Sequence, residues 1–320
     1  MERFDYTVTA EDEALGLNLG RLARQRLGAS ATLLRQLKRV EDGIWLDGVP
    51  VYVNVLPKAG QVISLAGGRE KDSENIIPQQ GEVDIAYEDE LMLIVNKQGG
   101  LPVHPSRGHP QDTLANFVAG MFEQRGEHFV YRAINRLDRG TSGLMCIAKT
   151  KYSSAILAKA LWQGRIERRY YALCEGTPAP PCGTVDLPVG RREGFGIQRC
   201  VDHENGQHAI THYETVRSNG RCSLLRLRLE TGRTHQIRVH MAAIGHPLIG
   251  DGRYGDFALN REFKKDFGLK RLFLHSARLD FEWHGEKIGI DSALPPELKN
   301  VIKELRNLRK KTAPKNPSHK

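Results

Sequence analysis

A mixed α/β fold of the α+β kind, with a largely antiparallel sheet behind a small helix-helix-hairpin unit, is predicted by three features of this sequence. Strand-like segments follow one another as hairpin neighbours and do not alternate strictly with helices, which favours antiparallel pairing over a doubly wound sheet. A polar stretch rich in turn residues, AGGREKDSENIIPQQG from Ala66 to Gly81, divides the chain. The length of 320 residues suits one large core plus a satellite unit. The division expected is residues 1–66, a linker at 67–81, a large domain at 82–308 and a basic tail at 309–320.

The elements follow in order. Leu15, Leu19, Leu22, Ala23 and Leu27 keep helical spacing, and after Ser30, a candidate N-cap, Leu33, Leu34, Leu37 and Val40 repeat it. Ile44 to Leu46, the Asp47-Gly48 pair and the alternating Val49, Val51, Val53 and Val55 predict a hairpin, with Val62 to Leu65 as a last strand. In the large domain, Val83 to Tyr87 and Leu91 to Asn96 read as a strand pair. Leu114, Phe117, Val118, Met121 and Phe122 trace a helix face, Gly143 to Ala148 a strand, and Tyr152 to Trp162 a second helix. Strands are expected at Ile166 to Cys174, Ile210 to Val216 and Ser223 to Leu229. In the last, Leu225, Leu227 and Leu229 alternate with Arg226 and Arg228, giving one buried and one basic face. Glu193 to His208 reads as a surface insertion, His235 to Ile244 as a short helix, Phe273 and Leu279 to Trp283 as closing strands, and Pro295 to Leu308 as a final helix.

Charge narrows the partners. The net charge of +9 and pI near 9.3 suit a polyanion, because clustered cations release counterions from phosphates. Leu19 to Val40 holds six basic residues (Arg21, Arg24, Arg26, Arg35, Lys38 and Arg39) and no acid, and from Lys299 onward eight basic residues face one acid, Glu304. The tail with Pro314 and Pro317 reads equally as an RNA contact and as a disordered end. Five scattered cysteines without a C-x-x-C pair suggest neither a disulfide framework nor a zinc knuckle, and a reducing cytoplasm is expected. The polar, acidic N-terminus and the lack of any long apolar run predict neither export nor membrane insertion. With no G-x-G-x-x-G after the early strands and no G-x-x-x-x-G-K-[ST], a nucleotide cofactor has no support.

Three stretches carry residues suited to chemistry. In AINRLDRGTSGLM, Asp138 lies between Arg136 and Arg139 just before a strand. The two arginines would hold it ionised if packed within a few ångströms, and an ionised, oriented carboxylate serves as nucleophile or base, but an Asp before Gly140-Thr141-Ser142-Gly143 also caps a turn. In IERRYYA, Tyr170 and Tyr171 point to opposite faces of a strand, and both are also ordinary sheet formers. In LETGRTHQIRVHM, a helix beginning near Thr234 would set His235 and Arg238 on one face, where a helix terminus and a guanidinium suit a phosphate or carboxylate. His235 and His240 are five apart, the wrong spacing for a metal pair.

Taken together, Arg136-Leu137-Asp138 with Thr141-Ser142-Gly143, Arg168-Arg169-Tyr170 leading to Ala172, Thr231 to His240, Gly245 to Asp251, and Leu274-His275-Ser276 resemble the RluA-type pseudouridine synthases in order and spacing, over roughly Val83 to Trp283. The front unit, Leu15 to Leu65, looks like the small S-four-like RNA-binding module often fused to such enzymes. The resemblance implies the pseudouridine synthase fold and isomerisation of uridines in structured RNA, with large-subunit ribosomal RNA favoured over transfer RNA. It implies no cofactor, no metal, no membrane partner and action as a monomer. Asp138 would be the nucleophile, Arg238 its charge partner, and Tyr170 a stacking partner of the uracil and a candidate for proton transfer. Arg136 would occupy the place the flipped base leaves, Ile237 would line the apolar wall, and Arg21, Arg24, Arg35, Lys38 and Arg39 would contact RNA from the front module. The family usually has histidine directly before Arg136, and here there is Asn135. The competing reading is an RNA-binding or ribosome-assembly factor with a silent catalytic site; a metal-dependent nuclease lacks ligands.

Overall fold

The computed structural model describes residues 3–27, 29, 34–35, 37–38, 43–66, 76–106, 109–283 and 285–312, with side chains through 305. Its front unit holds a four-stranded sheet, β1 (Arg3–Thr7), β2 (Ile44–Leu46), β3 (Val49–Pro50) and β4 (Val62–Ala66), in the order β1-β4-β2-β3. The helix expected from Leu15 to Leu27 begins only at Leu19 and runs to Gln25, and a short helix that the sequence reading did not anticipate, Ala10–Ala14, precedes it. Gly16 at φ 60° turns the chain between them, and Asn18 caps the second by accepting the Arg21 N–H at 3.0 Å. The expected strand from Val49 to Val55 stops at Pro50. The carbonyls of Val53 and Val55 accept the Gly20 and Leu19 N–H groups, each at 2.8 Å, so this backbone caps a helix and does not extend the sheet. Leu19, Leu22, Leu34, Leu37, Trp45, Ile63 and Leu65 share a separate core. The expected cap Ser30 and the positions Leu33, Arg39 and Val40 lie outside the described residues.

The large domain is built on strands β5 (Ile85–Glu88), β6 (Met92–Lys97), β7 (Arg132–Ala133), β8 (Ser142–Ala148), β9 (Ile166–Glu175), β10 (Cys182–Asp186), β11 (Val189–Arg191), β12 (Arg199–Val201), β13 (Ile210–Ser218), β14 (Cys222–Leu229), β15 (Leu274–Trp283) and β16 (Glu286–Asp291). Its main sheet runs β10-β13-β14-β9-β15-β8-β6-β5, with β16 on β15 and β7 on β8. Pairings are antiparallel except β15 with β8. That parallel contact is short, His275 beside Ser142 and Ser276 beside Gly143, and it seams the two halves at the sheet centre. Only glycine fits at 143: φ is 107°, and an added Cβ would lie 2.1 Å from the Ser276 carbonyl oxygen.

Alternation explains why β6 and β8 read as unbroken apolar runs. Leu93, Val95, Met145 and Ile147 pack under the helix Leu114–Gln124, while Met92, Ile94, Leu144 and Cys146 pack with Leu157 of the helix Lys151–Trp162 on the opposite face. Both faces are buried, so no polar alternation remains. The helices Phe257–Phe267 and Pro296–Thr312 cover Leu173, Ile249 and Phe273. Sequence reading passed over the first of these, although Asp256 caps its start and Gly268, at φ 67°, ends it. The polar stretch from Glu193 to His208 carries β12, which pairs with β11 in a small two-stranded sheet. Strands β1, β7, β10, β11, β12 and β16 were likewise not anticipated. No helix among the described residues is long and apolar enough to cross a membrane.

Candidate active site

The loop between β7 and β8 delivers Asp138 to the seam, and its backbone is held from three sides. Lys97, 2% exposed, donates to the carbonyls of Gln98 and Leu101 at 2.8 Å and of Arg139 at 3.2 Å. Burial pulls its pKa down to about 7, Arg271 acting with burial and Asp138 against it. Arg271 donates to the Gly140 carbonyl at 3.1 Å and the Ser142 hydroxyl at 3.0 Å, and pairs with Glu297 at 2.7 Å. Asn135 closes the loop's entry. Its amide oxygen accepts the Cys146 N–H at 2.7 Å and its amide nitrogen donates to the Leu144 carbonyl at 3.5 Å.

Asn135 thus continues the β7–β8 pairing with its side chain where the backbone turns away. Asn135→Ala leaves the buried Cys146 N–H unpaired and is expected to cost about 1–3 kcal/mol of stability, measured by denaturant titration. An unchanged midpoint would show that the amide does not hold the loop.

Asp138 does not pair with its sequence neighbours. Arg139 turns away to the Gly100 carbonyl at 2.9 Å, and Arg136 is exposed at the pocket rim. The charge partner comes from a hundred residues on: Arg238 Nη1 donates to Asp138 Oδ2 at 3.0 Å. The same guanidinium forks onto Asp251, Nε to Oδ2 at 2.7 Å and Nη2 to Oδ1 at 2.8 Å, and lies over the Tyr254 ring at 4.9 Å. Burial works against the Arg238 charge, but Asp251 and Asp138 outweigh it, so its pKa stands above the usual arginine value.

Arg238 sits on the helix Gln236–Ala243, which begins two residues later than the expected Thr234. His235 precedes it in the left-handed region at φ 59°, so His235 is a capping residue and not a member of a helical face. The loop before it is pinned by Gln236, whose oxygen accepts from Thr231 at 2.8 Å and from the Arg233 N–H at 2.9 Å, and by the buried Arg168, which donates to the Thr231 carbonyl at 3.2 Å. His240 is structural: Nε2 donates to the Leu187 carbonyl at 2.8 Å and Nδ1 meets the Thr211 hydroxyl at 2.9 Å.

One pocket gathers the three stretches. Arg136, Leu137, Asp138, Thr141, Tyr170, Leu229, Arg233, His235, Gln236, Ile237, Arg238 and Leu274 line it. Tyr170 and Ile237 are each 4% exposed, and burial pushes the Tyr170 phenol up. Tyr171, its neighbour on the opposite face of β9, is half-buried and does not line the pocket. Arg21, Arg24, Arg35 and Lys38 are exposed on the front unit and take no part in the pocket; Arg39 lies outside the described residues. Among the described residues no group of three or more His, Cys, Asp or Glu side chains is placed to hold a metal ion.

Asp251, Tyr254 and Lys97 were given no role from sequence. The spacing of Asp251 and Tyr254 after Gly250 was visible, but nothing in it told that the pair would fold against Arg238.

Residues 91–243 match the family model described as RNA pseudouridylate synthase. The uncharacterized RNA pseudouridine synthase YjbO of Bacillus subtilis (strain 168) is 37% identical over 279 residues, covering 87% of this chain and 95% of that protein. The ribosomal large subunit pseudouridine synthase D of Zymomonas mobilis subsp. mobilis (strain ATCC 31821 / ZM4 / CP4) is 36% identical over 239 residues, 71% of this chain and 74% of that one. Among solved structures, the human RNA pseudouridylate synthase domain containing 4 shares the fold at TM-score 0.57 and 24% identity, over 70% of this chain and 93% of its own.

Proposed function

Because the chain belongs to the RluA-type RNA pseudouridylate synthases, an enzyme family of RNA isomerases, we propose that it converts uridines of large-subunit ribosomal RNA to pseudouridine with Asp138 as nucleophile. The observation that carries this is the convergence of Asp138, Tyr170, Ile237 and Arg238 in one pocket, with Arg238 bridging Asp138 to the buried Asp251. A protein that only binds RNA needs exposed cations, and has no use for a buried arginine clamped between two carboxylates.

In this reading Arg136, exposed at the rim, enters the RNA stack as the target base leaves it, at a cost of a few kcal/mol to the helix. Tyr170 stacks on the uracil and Ile237 walls it. Asp138 attacks the ribose as the N-glycosidic bond breaks, and the electron pair of that bond leaves with the uracil. The uracil turns and bonds through carbon, the carboxylate is released, the proton on that carbon is lost to solvent, and the nitrogen freed from the ribose takes a proton up. Exclusion of water from a small pocket strengthens the charge pairing and protects the intermediate. The reaction is expected in the cytoplasm, by a monomer.

The test is release of tritium from cellular RNA carrying uridine tritiated at the carbon that forms the new bond, together with pseudouridine mapping in ribosomal and transfer RNA from cells with and without the gene. A lost site in large-subunit ribosomal RNA supports the assignment; a lost site in transfer RNA alone redirects it. No release from any RNA favours the silent binding factor.

The front unit, residues 1–66, acts in this reading as an S-four-like RNA-binding module. Arg21, Arg24, Arg35 and Lys38 contact phosphates there. Replacing any of the four with Ala should weaken binding equally across RNA sequences and lower the slope of log affinity against log salt by roughly one unit. An unchanged slope would remove that residue from the interface. Arg26 is excluded from the set because it pairs with the buried Asp12 at 2.8 Å.

A further inference from the structure

We propose that His235 and Tyr254 form a positioning pair for the nucleophile: Tyr254 holds the His235 imidazole protonated on Nε2 and aims that N–H at Oδ2 of Asp138, leaving Oδ1 as the oxygen presented to the ribose. The inference rests on Asp138 being the nucleophile.

Three observations carry it. His235 is one of three non-glycine residues among those described with a positive φ, and the only one of them in the pocket. Its backbone, at φ 59° and ψ 15°, is strained for a residue with a Cβ, and such strain persists where surrounding structure enforces it. Next, the Tyr254 hydroxyl accepts the Arg199 N–H at 2.8 Å and lies 2.8 Å from His235 Nδ1. With that lone pair engaged, the phenolic proton needs an acceptor, and Nδ1 is the one within reach; the ring proton therefore sits on Nε2. Finally, Nε2 is 3.9 Å from Asp138 Oδ2, the oxygen that Arg238 also holds. Among the described residues Oδ1 accepts no hydrogen bond.

Tyr254 thus touches both groups that face Oδ2, its ring edge-on to His235 at 5.6 Å and under Arg238 at 4.9 Å. A shift of about 1 Å brings Nε2–H to hydrogen-bond length from the carboxylate. The charged groups around the imidazole are Asp138 on the loop, Arg238 on the adjoining helix, and Asp251 and Arg253 on the segment that carries Tyr254. Burial pulls the ring's pKa down to about 4; Asp138 and Asp251 oppose that, and Arg238 and Arg253 add to it. At neutral pH the imidazole is an uncharged donor, and it does not compete with Arg238 as a second cation.

The experiment is steady-state tritium release by the full-length protein from about pH 4 to 9 for the native chain, Tyr254→Phe, His235→Gln and His235→Ala, with RNA affinity and melting measured alongside. Tyr254→Phe removes the donor that favours the neutral ring, so the ring pKa rises while burial still holds it below its ordinary value, and an imidazolium forms beside Asp138 as pH falls. The acid limb of kcat should therefore move up by roughly 1–2 pH units, with KM unchanged. His235→Ala should lose about 100-fold in kcat. His235→Gln, which offers a neutral N–H near Nε2 and cannot titrate, should recover most of that loss and show no moved limb. A uniform loss at every pH in Tyr254→Phe, or a Gln variant no better than Ala, overturns the proposal. Release by Asp138→Asn would instead overturn the nucleophile assignment on which it rests.

Discussion

Asp138→Asn is expected to abolish tritium release, by on the order of ten-thousand-fold or more, while leaving the fold and RNA binding in place. The loss is large because the amide carries no charge and cannot form the bond to the ribose that the carboxylate forms. The fold survives for a reason visible in the geometry. Arg238 keeps its fork to Asp251, so the buried cation is still compensated, and the asparagine oxygen can accept the remaining Nη1 hydrogen bond. Asp138 is 18% exposed and so stays partly solvated, and an asparagine that keeps the hydrogen bond is expected to cost about 1–2 kcal/mol. The comparison to make is of three quantities on one preparation: release rate, RNA affinity and melting temperature. Release within tenfold of the native rate would end the nucleophile assignment. Loss of melting stability in step with activity would show instead that Asp138 holds the fold.

Much of this was legible in the sequence, and the limits have physical causes. Periodicity located the strands whose two faces are both buried, such as β6 and β8, because unbroken apolar runs of that length have few other uses. It failed at Val49 to Val55, where alternation is real but the backbone groups are taken by the start of a neighbouring helix. The helix expected from Leu15 starts only at Leu19 for a local reason: Gly16 turns the chain and Asn18 caps the start. At the site, Asp138, Tyr170, Ile237 and Arg238 were named from motif order, and all four line one pocket. The arrangement around them was not legible. Local reasoning offered Arg136 and Arg139 as partners of Asp138, yet Arg139 hydrogen-bonds the Gly100 carbonyl, Arg136 is exposed, and neither pairs with it. Asp251 and Tyr254 act through Arg238 and His235, and contacts between residues more than ten positions apart leave no periodic trace. Asn135, a departure from the family's usual histidine, has a structural role here as the amide that hydrogen-bonds Cys146 and Leu144.

Asp251→Ala is expected to damage both stability and catalysis, and the two effects separate through Asp251→Asn. Asp251 is 1% exposed and accepts four hydrogen bonds: two from Arg238, and the backbone N–H groups of Arg253 at 2.9 Å and Tyr254 at 3.2 Å. Truncation strands a buried guanidinium with a single carboxylate and removes the acceptor of two backbone donors. Breaking a buried pair in this way costs about 3–5 kcal/mol, which in a domain of this size lowers the melting temperature by roughly 10 °C. Asparagine retains one oxygen to accept and nearly the same volume, so about 1–2 kcal/mol is expected for Asp251→Asn, and the protein stays folded. Its catalytic defect is then diagnostic. In the native site Arg238 divides its charge between two carboxylates; with Asp251 neutralised, the whole guanidinium charge falls on Asp138. A nucleophile so tightly paired attacks more slowly, and kcat should fall about tenfold or more with KM unchanged. A folded Asp251→Asn variant with native kcat would show that Asp251 only holds the structure together. A matched loss of kcat in the Asn variant would place Asp251 among the residues that set how strongly the nucleophile is held.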